Sequence, residues 1–106
     1  MTEKQVERAI IRELTGIGCN VTKLSQPQRA MMTAGIPDLY VRHSAWGLRV
    51  WVEVKTPKGK VSLAQRVWHD FEREAGGTVL VVRSALDAVE QIAELRTQAA
   101  PRRDHD

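Results

Sequence analysis

Apolar residues along this 106-residue chain recur with two different periods, and the switches between those periods outline the fold. Val6, Ile10, Leu14 and Ile17, with Ala9 beside them, return at the spacing of one helical face. Thr2 is placed to cap the first turn of that helix, acidic Glu3 suits its unpaired N–H groups, and Gly16 and Gly18 end it. Cys19 to Leu24 alternate weakly, as a short strand does. Leu39–Val41 and Leu48–Val54 are rich in β-branched residues and are separated by Ser44-Ala-Trp-Gly47, which reads as a turn. In the longer run Val50, Val52 and Val54 point one way, while Trp51, Glu53 and Lys55 point the other.

The second half repeats the scheme. Ser62 caps a second helix, with Gln65 at the reciprocal capping position and Leu63, Val67, Trp68 and Phe71 as its apolar side; Gly76-Gly77 closes it. Thr78–Val82 is a nearly continuous apolar run of strand length, as a buried strand requires. Ser84 caps a last helix carrying Leu86, Val89, Ile92 and Leu95. Ser25–Gly35 has no clear period and contains Pro27, so it reads as a loop with a turn of helix around Arg29–Met32. Residues 98–106 read as a disordered tail. The order α-β-β-β-α-β-α predicts one α/β domain over residues 1–97, a small β-sheet flanked by helices.

One cluster of polar residues changes this picture. A hairpin turn centred between Ala45 and Trp46 sets Asp38 opposite Glu53, and directly opposed residues share a face with Cβ atoms roughly 5 Å apart. Lys55, two residues beyond Glu53, lies on that face as well. A slip of one residue would turn Asp38 to the other side. Two carboxylates so close repel unless a cation neutralises them, and Mg²⁺ or Mn²⁺ would do so while sharing its oxygen ligands with a phosphate. An ammonium beside them could orient an attacking water or stabilise developing charge. The same three residues also fit a cross-strand salt-bridge cluster on a solvated sheet face, and spacing alone does not choose between the two.

Composition narrows the class. Apolar content of 42% and charged content of 27% are those of an ordinary globular protein. The net charge of +3 suits a polyanionic partner and serves solubility equally well. Cys19 is the single cysteine, which excludes a disulfide framework and a Cys-based zinc site and points to a reducing, intracellular compartment. No apolar run approaches membrane-spanning length, and the first residues are too polar for a signal peptide, so a cytoplasmic protein with no membrane partner is expected.

Gly35-Ile-Pro-Asp38, followed by Trp51-Val-Glu-Val-Lys-Thr-Pro-Lys-Gly-Lys-Val-Ser-Leu-Ala-Gln65, resembles the core of the VRR-NUC domain, within the PD-(D/E)xK nuclease superfamily. The likeness continues through His69, Gly76-Gly77 and the apolar strand, from Lys4 to Val89. A bare Pro-Asp…Glu-x-Lys is a weak signal; the run from Glu53 to Gln65 in its strand-loop-helix setting is far more specific. The resemblance implies a restriction-endonuclease-like core. It makes Asp38, Glu53 and the backbone carbonyl of Val54 ligands of Mg²⁺ (or Mn²⁺), Lys55 the catalytic lysine and Gln65 a neighbour of the metal. It adds an acid from the first helix, for which Glu7 fits best and Glu3 is the alternative. His69 matches a family histidine and equally fits a packing role.

The activity so implied is metal-dependent endonucleolytic cleavage of DNA leaving a 5′-phosphate, by a stand-alone bacterial or phage-type enzyme that acts as a homodimer without a small-molecule cofactor. No segment stands out as a sequence-reading domain, so selection by DNA shape, as at a flap, branch or four-way junction, is expected. Lys23, Arg29, Lys58, Lys60 and Arg66 flank the site in the chain and are candidates to hold the DNA backbone, although a charged loop is often simply solvated. Trp51 could stack on a base or pack against a helix, and Trp68 is expected in the core. The competing readings are a catalytically silent nucleic-acid-binding module, whose mark would be a lost acid or lysine, and a sequence-specific restriction-type enzyme.

Overall fold

The computed structural model describes residues 1–24 and 34–99. Helix α1 (Glu3–Gly16) leads into β1 (Asn20–Lys23); β2 (Leu39–His43) and β3 (Leu48–Val54) form the hairpin; α2 (Leu63–Glu74), β4 (Val79–Val82) and α3 (Ala85–Ala99) complete the chain. The element order is the one the hydrophobic pattern predicts. Each helix starts on the expected side chain. The Thr2 hydroxyl accepts from the Gln5 N–H at 3.2 Å, the Ser62 hydroxyl from the Gln65 N–H at 3.1 Å, and the Ser84 hydroxyl from the Asp87 N–H at 3.0 Å. In the first two the glutamine side chain reaches back to the cap N–H, closing a capping box.

The four strands are ordered β1-β2-β3-β4, with antiparallel pairs up to β3 and a parallel β3–β4 pair across α2. The hairpin register is the expected one: Leu39 pairs with Val52, Val41 with Val50 and His43 with Leu48. Its turn is a short 3-10 segment, Ser44–Trp46, ended by Gly47 in the left-handed region at φ 63°. Alternation then sorts the sheet. Leu39, Val41, Val50, Val52, Val54 and Val82 face α1 and α3 and close a single core with Val6, Ile10, Leu14, Ala88 and Ile92. Each fully buried aliphatic side chain in it contributes about 1.5–3 kcal/mol. The opposite face carries Asp38, Tyr40, Arg42, Arg49, Trp51, Glu53 and Lys55, and α2 contacts it at β3 and β4.

Two expectations need correction. The apolar stripe of α2 does not pack on the sheet: Leu63 is 73% exposed, Phe71 72% and Val67 49%. The helix instead turns Gln65, His69 and Glu72 inward, where Glu53 and Trp51 offer hydrogen-bonding partners. Trp68 is consequently half-buried, edge-on to Trp51 at 5.1 Å between ring centres, rather than part of the core. The last helix also extends through Ala99, past the expected start of the tail. Residues 100–106 lie outside those described, as do Ser25–Thr33 with Arg29 and the Met31-Met32 pair.

Candidate active site

The end of the hairpin farthest from its turn gathers the polar residues. Asp38 immediately precedes β2, and its Oδ2 accepts the Val54 N–H at 2.8 Å, which ties the acid to the last residue of β3. Its placement depends on Gly35, whose φ of 88° is the left-handed region and whose backbone lies against the first turn of α2. A Cβ at residue 35 would collide with the Ala64 carbonyl, so only glycine lets the chain pass close enough to α2 for Asp38 to reach β3.

Glu53 is the centre of the cluster. Its side chain is 1% exposed, and α2 supplies two of its partners. Gln65 Nε2 donates to Oε2 at 2.9 Å, and His69 Nε2 lies 3.1 Å from Oε1. Gln65 thereby does two jobs, since its Oε1 also accepts the Ser62 N–H at 2.9 Å and caps α2. Burial, followed by the negative charge of Asp38 and a side-chain hydrogen bond to it, pushes Glu53 from 4.5 up to about 9; the charge of Lys55 opposes this. Burial, followed by the charge of Arg73, lowers His69 from its usual value. Lys55 is anchored by its backbone N–H, which donates to Val82 O at 3.0 Å.

A carboxyl kept protonated by burial beside another carboxylate is one that a divalent cation would ionise. The side-chain donors Asp38 and Glu53 offer carboxylate oxygens, the chemistry that Mg²⁺ and Mn²⁺ favour. Among the described residues no group of three or more His, Cys, Asp and Glu side chains is assembled to hold a metal.

The remaining expected residues are distributed around this centre. Glu7, on α1, is buried and lines a cleft of about 200 Å³ together with Asp38, Val54 and Glu3. Its Oε1 lies 3.6 Å from Lys23 Nζ, so Lys23 is engaged by an acid at the rim of the site. Lys58, Lys60 and Arg66 are exposed on the loop and first turn that follow β3. Arg29 lies outside the described residues. Trp51 is fixed by packing: its Nε1 donates to Glu72 Oε2 at 3.1 Å, and its ring lies 4.6 Å from that of Tyr40.

Two residues of this neighbourhood have contacts that the sequence left open or did not announce. His69 contacts Glu53 directly, and the helical spacing of four from Gln65 was the signal for it. Arg83 holds the basic loop: its Nη1 donates to the carbonyls of Thr56 and Gly59, each at 2.7 Å, and of Pro57 at 3.3 Å. Nothing local to Arg83 announces that role, because its three acceptors are backbone groups distant in sequence.

A family model for the VRR-NUC domain matches residues 2–86 of this chain. A solved VRR-NUC domain is similar over 86% of this chain and 94% of its own length, at 30% identity and a TM-score of 0.69. A second solved structure, a VRR-NUC domain protein, is 17% identical over 88% of this chain and 86% of its own, with a TM-score of 0.63, and shares the fold. No curated protein is similar enough to match the chain.

Proposed function

Since this chain belongs to the VRR-NUC domain family, a family of nucleases, we propose that it is a metal-dependent endonuclease that hydrolyses phosphodiester bonds of DNA. The observation that carries this reading is Glu53, a buried carboxyl raised to about 9 beside Asp38, with Lys55 on the same face. Such a pair is stable in its ionised form only next to a cation.

In this mechanism Asp38, Glu53 and the Val54 carbonyl would hold Mg²⁺ or Mn²⁺. Bound there, the cation would supply Lewis acidity toward the phosphate and lower the pKa of a water. Gln65 and His69 fix the Glu53 carboxylate in one orientation, each through one of its oxygens. Lys55 orients the attacking water and stabilises negative charge developing on the phosphoryl oxygens. Glu7 adds negative charge at the rim of the same cleft, and Lys23 offsets part of it. The substrate in this reading is branched DNA chosen by shape, cut to leave a 5′-phosphate. The working unit is a homodimer in the cytoplasm, for which the exposed stripe Leu63, Val67 and Phe71 is a suitable contact.

Labelled four-way junction, flap and linear duplex, incubated with Mg²⁺, Mn²⁺ or EDTA, test this. Cleavage of the branched substrates is expected with either metal, none in EDTA, and a loss of 10²-fold or more in Lys55→Ala. Cleavage that persists in EDTA, or that is unchanged in Lys55→Ala, refutes the mechanism.

A further inference from the structure

On the sheet face that bears Asp38 and Glu53, toward the hairpin turn, the observed register sets Arg42 directly opposite Arg49. Like charges opposed on antiparallel strands destabilise a sheet, and a solvated face gives no structural reason to place two guanidiniums there. Both side chains are exposed, and among the described residues neither forms an ion pair with a carboxylate. Arg42 is instead oriented by a neutral acceptor: its Nη2 donates to Asn20 Oδ1 at 2.9 Å, leaving its charge uncompensated. The two arginines, with Asn20 and Ser44, line a cleft of about 430 Å³ that is separate from the cleft at Asp38. A concave site with two cations and no anion is built for an anion.

We propose that Arg42 and Arg49 form a second phosphate-binding site that grips the substrate strand away from the scissile bond. The proposal rests on the nuclease reading for the identity of the strand and extends it to how that strand is held. Arg49 lies four positions before Glu53 on β3, about 13 Å along the strand. That span places the gripped phosphate a few nucleotides from the one that is cut. Between the two sites the face is floored by Tyr40, half-buried and packed on Trp51, with the Arg42 guanidinium 5.9 Å from its ring centre. The planar guanidinium fork matches phosphate oxygens in pairs, which a lysine there would not do. The arrangement sacrifices local stability for charge, the trade expected of a binding residue and not of a structural one.

The test uses the full chain carrying Lys55→Ala, so that binding is read without cleavage, against the same protein with Arg42→Gln and Arg49→Gln added. The probe is a labelled flap or junction DNA, titrated over a range of salt in Mg²⁺. Loss of both arginines is expected to weaken binding tenfold or more and to make the plot of log affinity against log salt shallower by about 1.8, the contribution of two phosphate contacts. The melting temperature of the double variant is expected to equal or exceed that of the parent, since a like-charge pair has been removed. In the Lys55→Ala parent, a neutral methylphosphonate stepped through the first few positions on either side of the cut should weaken binding at one of them, and in the arginine variant that position should have no effect. Unchanged affinity and salt slope in the variant, or binding by neither protein, overturns the proposal. Absence of cleavage by the wild type, with arginine-dependent binding intact, overturns the hydrolytic mechanism alone.

Discussion

Removing the charge of Glu53 should reverse how this protein responds to pH. In metal-free protein the folded state keeps a proton on Glu53 up to about pH 9, whereas the unfolded chain releases it near 4.5. The folded state therefore binds more protons across that window. The associated stability is fully present below about 4.5 and is lost as pH rises toward 9. At about 1.36 kcal/mol per tenfold, the whole window corresponds to at most about 6 kcal/mol, of which about 4 is lost by pH 7.5. A small domain has about 5–15 kcal/mol in all, so the effect is large. His69 acts in the opposite sense. Its lowered pKa makes its contribution present above 6.5 and lost as pH falls below that value. Wild-type protein in EDTA should thus be most stable in mildly acidic buffer and weaken steadily toward alkaline pH. Glu53→Gln keeps the shape of the side chain and removes the ionisation, so it should lose the alkaline decline and retain the acid limb from His69. Mg²⁺, by favouring the ionised carboxylate, should restore stability to the wild type at pH 8 and do far less for the variant. Urea denaturation from pH 5 to 9, with and without Mg²⁺, measures all of this, provided the dependence on denaturant stays constant. Parallel pH profiles for the two proteins in EDTA would refute the assignment of Glu53 as the buried, cation-requiring acid.

Two further perturbations probe the surroundings. Gly35→Ala should destabilise the protein by about 1–3 kcal/mol, through the collision with the Ala64 carbonyl and the left-handed backbone, and should reduce cleavage more than Glu94→Ala at an exposed position of α3; thermal melts and cleavage rates read both. Leu63→Ser with Phe71→Ser should leave the melting temperature of the monomer nearly unchanged, because both side chains are solvated, while shifting sedimentation toward the monomer; an unchanged sedimentation coefficient would exclude this stripe as the dimer contact.

The hairpin was legible because the valines at 50, 52 and 54 fix which face lies inside, while the short turn at Ser44–Trp46 fixes the register and with it Asp38 opposite Glu53. Arg42 opposite Arg49 follows from the same register and was readable from it, yet each arginine in isolation looks like an ordinary surface charge. The orientation of α2 was not legible. Apolar periodicity marks the side a helix would normally bury, and here a buried carboxyl needing donors from Gln65 and His69 takes precedence. Burial of Glu7 beside Lys23 was likewise hidden, since the partner comes from the next element of the fold rather than from the next helical turn.

The inward polar side of α2 has a dynamic consequence. His69 is the one residue of that helix buried outright, whereas α1 buries Val6, Ile10 and Leu14 in the core. The helix is held to the sheet by two hydrogen-bonding contacts to Glu53, the Trp51–Trp68 contact, Trp51 to Glu72 and Arg73 Nη2 to Val79 O at 2.7 Å. With His69 as its one fully buried residue, α2 is predicted to open before the central strands, below the global unfolding free energy. Its amides should exchange with solvent sooner than those of β2 and β3. Each such opening would withdraw Gln65 and His69 from Glu53, so Glu53 keeps its two partners from the helix only while α2 is docked.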